Sequence, residues 1–354
     1  MKNCINWPML FFLLAGLFLV SSCNYYCCGE REQAGPPPPP PPEHPIPFVS
    51  DQNGAFYDIF VMEADGSNQQ LLRDTEYPTR ALDFSEDAAR IAYIDVDGNQ
   101  DITRLWVMDG NADNLRLLDD AYHFSEVGIS GDGSRIAYNF DPGNRSLGLI
   151  GVASDGTDSH RILDTEEYNY NFSPRLNYDG SRIVYKYRYE HPPQSRPVVQ
   201  SDAGIYQINW DGSNEELLVR DDDYIGMCAS PMYSRDETHL YYVWGTWEPW
   251  ENQIRVLDLD NPLDPPEILY TAGESSISSL HFSYDYSRLI FSNYWGNRNS
   301  ERSFNLFELS GLKMDPQFQI YSIDAATGGD LQQLTGSDYN SYFQYNDYIF
   351  ERGK

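Results

Sequence analysis

The histidines and one acidic loop are the first places to look for chemistry in this sequence. The chain has six histidines, His44, His123, His160, His191, His239 and His281. None stands in a His-x-His or His-x-x-x-His pair, and no Gly-x-Ser-x-Gly sequence occurs. A zinc site and the nucleophile turn of a serine hydrolase therefore have no local motif. We expect no catalytic residue and no cofactor; an enzyme whose site is assembled from distant segments is the alternative.

The acidic loop has the composition of a calcium site. Oxygen-bearing side chains alternate around Gly98, and they belong to Asp95, Asp97, Asn99 and Asp101. Oxygen atoms are the ligands that calcium prefers, but the glycine is two positions too early for an EF-hand loop. The required glutamate is also missing. We expect a hairpin turn in which the Asp and Asn side chains cap their own backbone, with calcium as the alternative.

Cys23 ends a sequence that is typical of secreted bacterial precursors. An apolar stretch from Ile5 to Val20 follows a positively charged start, and it is shorter than the roughly 20 residues of a membrane span. Small residues precede the cysteine in Val20-Ser21-Ser22-Cys23, which resembles the lipobox of bacterial lipoproteins. We expect residues 1–22 to be a signal peptide and Cys23 to be lipidated. The alternatives are an uncleaved anchor and an ordinary secretory signal.

Residues 23–45 are expected to form a lipidated tether. Seven consecutive prolines run from Pro36 to Pro42, and they favour an extended, stiff spacer of about 20 Å. The alternative is a docking peptide for an aromatic groove. Asn24 favours the outer membrane, by similarity to the enterobacterial sorting rule. Cys27 and Cys28 are either further acylation sites or an intermolecular link.

The composition limits the partners. The chain has 54 acidic and 24 basic residues, and its net charge is −30. Nucleic acids and anionic lipid surfaces are bound mainly by Lys and Arg. We therefore expect no nucleic acid partner, and membrane contact only through the lipid anchor. Cys228, which follows the tether, is expected to occupy a small, buried, apolar position.

The rest of the chain is a repeat of short strands. One strand of each repeat ends on an aromatic residue that recurs every 45 to 59 residues, and these residues are Phe48, Tyr93, Tyr138, Tyr185, Tyr242, Phe291 and Phe350. A turn sequence precedes five of the strands, as in Ser130-Gly131-Asp132-Gly133. A second alternating strand and a short closing strand follow. This period, without helical patterning, predicts the blades of an all-β propeller, with four strands in each blade.

The count of strands sets the number of blades. The second strand of the repeat occurs six times, as in Asp58–Met62, while the aromatic-ended strand occurs seven times. Six blades account for both numbers if the two chain ends share one blade. We expect residues 341–350 to lie beside residues 46–73 and to close the ring, which removes exposed strand edges. Seven blades are the alternative.

These repeats resemble those of the TolB-type six-bladed β-propellers. The shared pattern is a Ser-x-Asp-Gly turn, an Ile-Ala-Tyr strand, an Asp-Ile-x-Val-Met strand and a Leu-Leu close, and it covers nearly all of residues 46–354. The proline that often follows the turn serine of that family is absent here. We also expect no counterpart of the α/β domain that precedes the propeller in that family. The resemblance implies a bacterial envelope propeller that binds a partner, usually a protein.

Aromatic residues after neighbouring blade strands predict the binding surface. They are Trp244, Trp247, Trp250, Tyr294 and Trp295, and Trp and Tyr are common in binding hot spots. Packing and binding both remain open for Trp247 and Trp250. Insertions at residues 187–203 and 293–318 are expected on the same face. We expect a lipid-anchored scaffold that binds a protein or peptide; a glycan-binding module or an enzyme acting on polysaccharide or peptide is the alternative.

Overall fold

The computed structural model describes the region of the predicted propeller. The described residues are 44–54, 57–97, 102–121, 126–141, 147–164, 169–189, 203–221, 226–247, 250–273, 275–294, 318–336 and 340–342. The predicted signal peptide, Cys23 and most of the tether lie outside them. Within the described residues, no helix is long and apolar enough to cross a membrane.

The chain forms six antiparallel sheets of four strands each, and each sheet is one blade. The strands of blades 1 to 3 are β1 Ile46–Ser50, β2 Asp58–Met62, β3 Gln70–Arg73; β4 Thr79–Phe84, β5 Arg90–Asp97, β6 Ile102–Asp109, β7 Arg116–Ala121; β8 Val127–Ile129, β9 Arg135–Phe140, β10 Gly148–Ala153, β11 His160–Leu163. Those of blades 4 to 6, with the closing strand last, are β12 Asn169–Leu176, β13 Arg182–Tyr189, β14 Gly204–Asn209, β15 Glu216–Arg220; β16 Gly226–Tyr233, β17 His239–Trp247, β18 Trp250–Asp258, β19 Glu267–Thr271; β20 Ser276–Phe282, β21 Arg288–Tyr294, β22 Phe318–Asp324, β23 Gln332–Gln333; β24 Ser341–Tyr342. This confirms an all-β, six-bladed propeller and excludes seven blades.

The repeated aromatic residue occupies the same place in every blade. Its partner on the next strand is also equivalent, and the six pairs are Phe48–Phe60, Tyr93–Trp106, Tyr138–Ile150, Tyr185–Tyr206, Tyr242–Arg255 and Phe291–Tyr321. All six aromatic side chains are almost fully buried. Because alternate residues of a strand face opposite sides, this register sends one row of apolar side chains into each seam between blades.

The two chain ends share blade 1. β24 pairs with β1, with Val49 opposite Tyr342 and Ser50 opposite Ser341. Asn340 strengthens the closure, because its backbone N–H and side-chain amide donate to the Asp51 carboxylate at 2.7 and 3.0 Å. The predicted closure of the ring is confirmed for residues 341–342, and residues 343–350 lie outside the described residues. The innermost strand of this blade is therefore Ser341–Tyr342, and β1 fills the place predicted for an aromatic-ended strand.

Strand order gives the propeller two different faces. Turns between the first and second strands, and between the third and fourth strands, lie at one end of every sheet. We call this end the short-turn face. The opposite end, where strands β13 and β14, β17 and β18, and β21 and β22 are joined, is the long-loop face. Both predicted insertions begin and end there, so their expected placement on the same face as the tryptophans follows from the topology.

Hydrogen bonds within the Ser-x-Asp turns explain their repetition on the short-turn face. In blade 3, Ser130 Oγ and the Ser134 N–H both donate to Asp132 Oδ1, at 2.6 and 2.9 Å. The Arg135 N–H donates to Ser130 Oγ at 3.0 Å. Gly133 has a φ of +71°, in the left-handed region that glycine adopts without strain. The predicted hairpin turns are confirmed.

Candidate functional site

The described members of the predicted tryptophan cluster stand on strands that end at the long-loop face of blades 5 and 6. Trp247 and Trp250 are opposite each other at the end of the β17–β18 hairpin. Tyr294 ends β21 in the neighbouring blade, where its backbone pairs with Phe318 and Ser276. The side chains of these three residues, and all of Trp295, lie outside the described part of the chain. Their role in binding stays a prediction.

Trp244 lies deeper than the other members of the predicted cluster. Its side chain is 7% exposed and belongs to an apolar cluster shared by blades 4 and 5. The Arg255 guanidinium lies 4.6 Å from its ring centroid, a cation–π contact. Trp244 is therefore placed beneath the surface, where it supports the β17–β18 hairpin.

Buried polar side chains are concentrated toward the long-loop face. Each of them lies near the long-loop end of a strand whose other half contributes apolar side chains to the seams between blades. They are Ser50, Asp58, Asp95, Asp97, Asn139, Lys186, Asn252, Gln253, Asn293 and Gln319. A buried polar group needs a hydrogen-bond partner, so such positions are unfavourable unless the partner is supplied. The polarity gradient distinguishes this face from the short-turn face.

Three side chains from alternate blades meet at the axis of the propeller. Asp83 lies on β4, Arg175 on β12 and His281 on β20, the innermost strands of blades 2, 4 and 6. These blades are not neighbours, so their side chains can meet only at the axis. Arg175 Nη1 lies 3.1 Å from Asp83 Oδ2. His281 Nδ1 lies 3.5 Å from Asp83 Oδ1, and His281 Nε2 lies 3.5 Å from Arg175 Nη2.

This axial network is buried and saturated with hydrogen bonds. Arg175 Nη1 also donates to the Val127 carbonyl at 3.0 Å, and the Ile129 N–H donates to Asp83 Oδ2 at 2.9 Å. Burial raises the pKa of Asp83, and the Arg175 charge opposes that rise. Burial, and then Arg175, lower the pKa of His281 well below its usual value. A neutral His281 therefore sits between a carboxylate and a guanidinium.

A second contact crosses the axis nearer the short-turn face. Glu86, in the first turn of blade 2, pairs with Arg235 of blade 5 at 3.2 Å. The Arg235 guanidinium lies 5.3 Å from the ring centroid of Tyr286, which belongs to blade 6. Burial, and then the Glu86 carboxylate, raise the pKa of Tyr286. Two charged layers therefore close the axis at the short-turn end.

The candidate calcium loop already has an internal cation. Arg104 Nε and Nη2 donate to the two oxygens of Asp95 at 2.8 and 3.0 Å, and Trp106 Nε1 donates to the second oxygen at 3.1 Å. Asp97 is buried, while Asn99 and Asp101 lie outside the described residues. In the part of the chain that the structure describes, no group of three or more His, Cys, Asp or Glu side chains is arranged to hold a metal.

Cys228 is buried in an apolar cluster, as predicted, and its thiol also contacts an ion pair. Its thiol donates to Asp221 Oδ1 at 2.9 Å, and Lys186 Nζ lies 3.7 Å from its sulfur. Lys186 forms an ion pair with Asp221. Burial raises the pKa of the thiol, with Lys186 opposing and Asp221 adding to the rise. The expected buried apolar position is therefore confirmed, with an ion pair on one side of the thiol that the sequence did not predict. The thiol is a structural group of low reactivity.

The axial residues were not identified from the sequence. Asp83, Arg175 and His281 each stand two residues before the residue that opens a turn, namely Ser85, Asn177 and Ser283. In an alignment of the repeats, this shared offset places the three residues at one equivalent position. Their charge complementarity becomes visible only when alternate blades face each other across the axis.

Solved structures of other proteins share this fold. No family model and no curated protein matches the sequence. Among solved structures, TolB from Acinetobacter baumannii aligns with a TM-score of 0.60 and 13% identity over 84% of this chain. This chain spans 65% of that TolB, less than two thirds of its length. A TolB structure from Agrobacterium tumefaciens gives a TM-score of 0.53 and 16% identity, covering 78% of this chain and 94% of that chain.

Similar propellers also occur in unrelated settings. A chain from the nidogen–laminin complex gives a TM-score of 0.57 and 10% identity, covering 84% of this chain and 96% of that chain. At these identities the likeness defines a fold, because one propeller fold serves many functions. The chain is therefore a TolB-like six-bladed β-propeller by architecture.

Proposed function

We propose that this protein is a lipid-anchored cell-envelope protein whose propeller binds a protein or peptide, without catalysis, at its long-loop face. The observation that carries the proposal is the closed axis: the Asp83–Arg175–His281 network and the Glu86–Arg235 pair block the short-turn end. Longer connections and buried polar groups are found at the other end. The shared fold with TolB and with a chain of the nidogen–laminin complex supports a protein-binding scaffold.

The position of His44 supports this orientation. His44 precedes β1 at the short-turn face, where its ring stacks on Tyr284 at 4.0 Å with an interplanar angle of 10°. The proposed tether, residues 23–45 with lipidated Cys23, therefore joins the propeller at the short-turn face. The long-loop face lies opposite the point of attachment and is available to a partner in the envelope.

The proposed contact residues are Trp247, Trp250, Tyr294 and Trp295, with Trp244 supporting them from below. Large aromatic side chains supply much binding energy in small areas. The test is a crosslinking pull-down from intact cells with the wild type and with Trp247→Ala/Trp250→Ala, after both are shown to fold. The matched control is Tyr178→Ala/Tyr284→Ala, which removes two aromatic residues, 48% and 44% exposed, from the short-turn face.

The outcomes of the pull-down distinguish protein binding at the long-loop face from the alternatives. A protein partner that is lost only in the tryptophan variant supports the proposal. Equal capture by all three proteins contradicts the proposed face. If no protein is captured and a glycan array binds the wild type but not the tryptophan variant, the glycan-binding alternative replaces the proposal.

Lipidation at Cys23 is tested separately. We expect Cys23→Ala to abolish incorporation of a labelled fatty acid and to release the protein from the membrane fraction. Cys27→Ala/Cys28→Ala is the matched control and should keep the protein in the membrane fraction. Release by the control alone would contradict the assignment of Cys23 as the anchor.

A further inference from the structure

Among the described residues, three buried polar atoms at the long-loop end of blades 5 and 6 have no hydrogen-bond partner. They are Trp244 Nε1, Asn252 Nδ2 and Asn293 Oδ1, in side chains that are 7%, 3% and 2% exposed. A buried donor or acceptor without a partner loses its hydration and gains nothing in return. All three stand on strands that lead to the predicted binding loops. A ligand bound at this face would supply the hydrogen-bond partners that these atoms lack.

Two of these atoms share one seam. Ile254 and Phe291 pack in the same apolar cluster between blades 5 and 6. Asn252 and Asn293 each lie two residues further toward the long-loop face on the same strands. Because side chains alternate along a strand, both amides point into this seam, in the layer above the apolar cluster. Trp244 belongs to the seam with blade 4 and faces the other way.

Gly245 has no side chain, and we call the space that this leaves in the same layer the gap. Gly245 is directly opposite Asn252 in the β17–β18 register. A Cβ placed on Gly245 would crowd Asn252 Oδ1 at 3.2 Å, and no other described atom lies within 4 Å of its position. A glycine within a strand often marks the close approach of another group. The gap lies two residues inside the hairpin end formed by Trp247 and Trp250, so it is continuous with the proposed binding face.

We propose that this gap receives a carboxamide side chain, Asn or Gln, of the bound protein. Its carbonyl oxygen would accept from Asn252 Nδ2, and its NH₂ group would donate to Asn293 Oδ1. A carboxylate has no donor, and an ammonium group has no acceptor. An aliphatic side chain leaves both protein atoms unpaired, and a site built to hydrogen-bond a ligand discriminates strongly against analogues that lack the bond. The inference rests on the proposed function and specifies what the partner inserts.

The first test uses the free protein and needs no partner. Asn252→Leu and Asn293→Leu replace the unpaired amides with apolar groups of similar size, so each variant should have a higher thermal midpoint than the wild type. The matched control is Asn139→Leu: Asn139 is also buried, but its Oδ1 accepts from the Glu126 N–H at 3.0 Å. This control should have a lower midpoint. Lower midpoints for the two seam variants would show that their amides are satisfied in the free protein and would overturn the proposal.

The second test uses small probes. We expect N-acetylglutamine methylamide to perturb the side-chain NMR signals of Asn252 and Asn293, and N-acetylglutamate and N-acetylmethionine methylamides to leave them unchanged. The Asn293→Leu variant should lose the response of Asn252. No response to the glutamine probe, or an equal response to all three, would overturn the proposal. Both tests are independent of the pull-down, so failure of the carboxamide site is distinguishable from failure of the proposed function.

Discussion

At the axis, His281 makes the stability of the propeller sensitive to acid. Its ring is buried, stacks on Phe84 at 4.8 Å, and faces Asp83 and Arg175. Its pKa in the folded protein is lowered by burial and by Arg175. As the pH falls through the unfolded value of 6.5, the unfolded chain takes up a proton that the folded protein excludes. Stability present above that pH is therefore lost below it, by up to about 1.4 kcal/mol per pH unit.

We expect His281→Gln to remove this loss between pH 7.5 and pH 5. The measurement is the free energy of unfolding in urea at both pH values for the wild type and the variant. Asp83 has the opposite effect on the pH dependence of stability. Because its pKa is raised in the folded protein, the folded state binds a proton more readily than the unfolded chain as the pH falls. His44→Gln, which replaces an exposed histidine, is the control and should retain the wild-type loss. An equal loss in His281→Gln would show that other groups cause the acid sensitivity.

At the scale of the element, the Ser-x-Asp turn fixes where each hairpin reverses. Burial alone would raise the pKa of Asp132, but hydrogen bonds from Ser130 and Ser134 outweigh it and lower the pKa. We expect Asp132→Ala to reduce the free energy of unfolding by about 1–3 kcal/mol, because several hydrogen bonds to a charged acceptor are lost. Urea unfolding at neutral pH measures the change. Asp260→Ala, at an exposed position outside these turns, should differ from the wild type by less than about 0.5 kcal/mol.

The innermost strands of the blades are the elements that local sequence patterns did not predict. The aromatic-ended strands, the alternating strands and the closing strands follow from period-two patterns and were predicted. The innermost strands break that pattern with bulges at Ser173, Ser230 and Ser279, where φ is between 47° and 50°. They also carry the axial Asp83, Arg175 and His281. Polar residues at these positions are explained by contacts across the axis, which no local window of sequence contains.

At the scale of the whole molecule, the candidate site could be predicted only in part. The repeat placed the tryptophans on one face, since equivalent connections of a propeller share a face. It did not show that Trp244 is buried or that Asn252 and Asn293 share a seam, because both facts depend on how neighbouring blades pack. The charged closure of the opposite end depends on blades 2, 4 and 6 meeting at the axis.

Ring closure depends on a few residues near the end of the chain, so a small deletion there should disrupt it. Strand β24 has two residues, yet Tyr342 packs in the apolar cluster between blades and its hydroxyl donates to the Thr79 carbonyl at 2.9 Å. A chain that ends after Thr335 lacks this strand, so the inner edge of β1 loses its partner and becomes available to another molecule. We expect this variant to aggregate on heating and to unfold at a lower temperature, as measured by light scattering and circular dichroism.

A chain that ends at Tyr342 is the matched control, because it keeps β24 and removes only the residues that follow. It should aggregate less on heating and have a higher thermal midpoint than the chain that ends after Thr335. Tyr342→Ala in the full chain should be intermediate: the strand pairing remains, but loss of a buried aromatic side chain costs about 3–5 kcal/mol. If the chain that ends after Thr335 had the same thermal midpoint and the same resistance to aggregation as the control, closure by β24 would not hold the ring together. Stability would then come from the seams between blades alone.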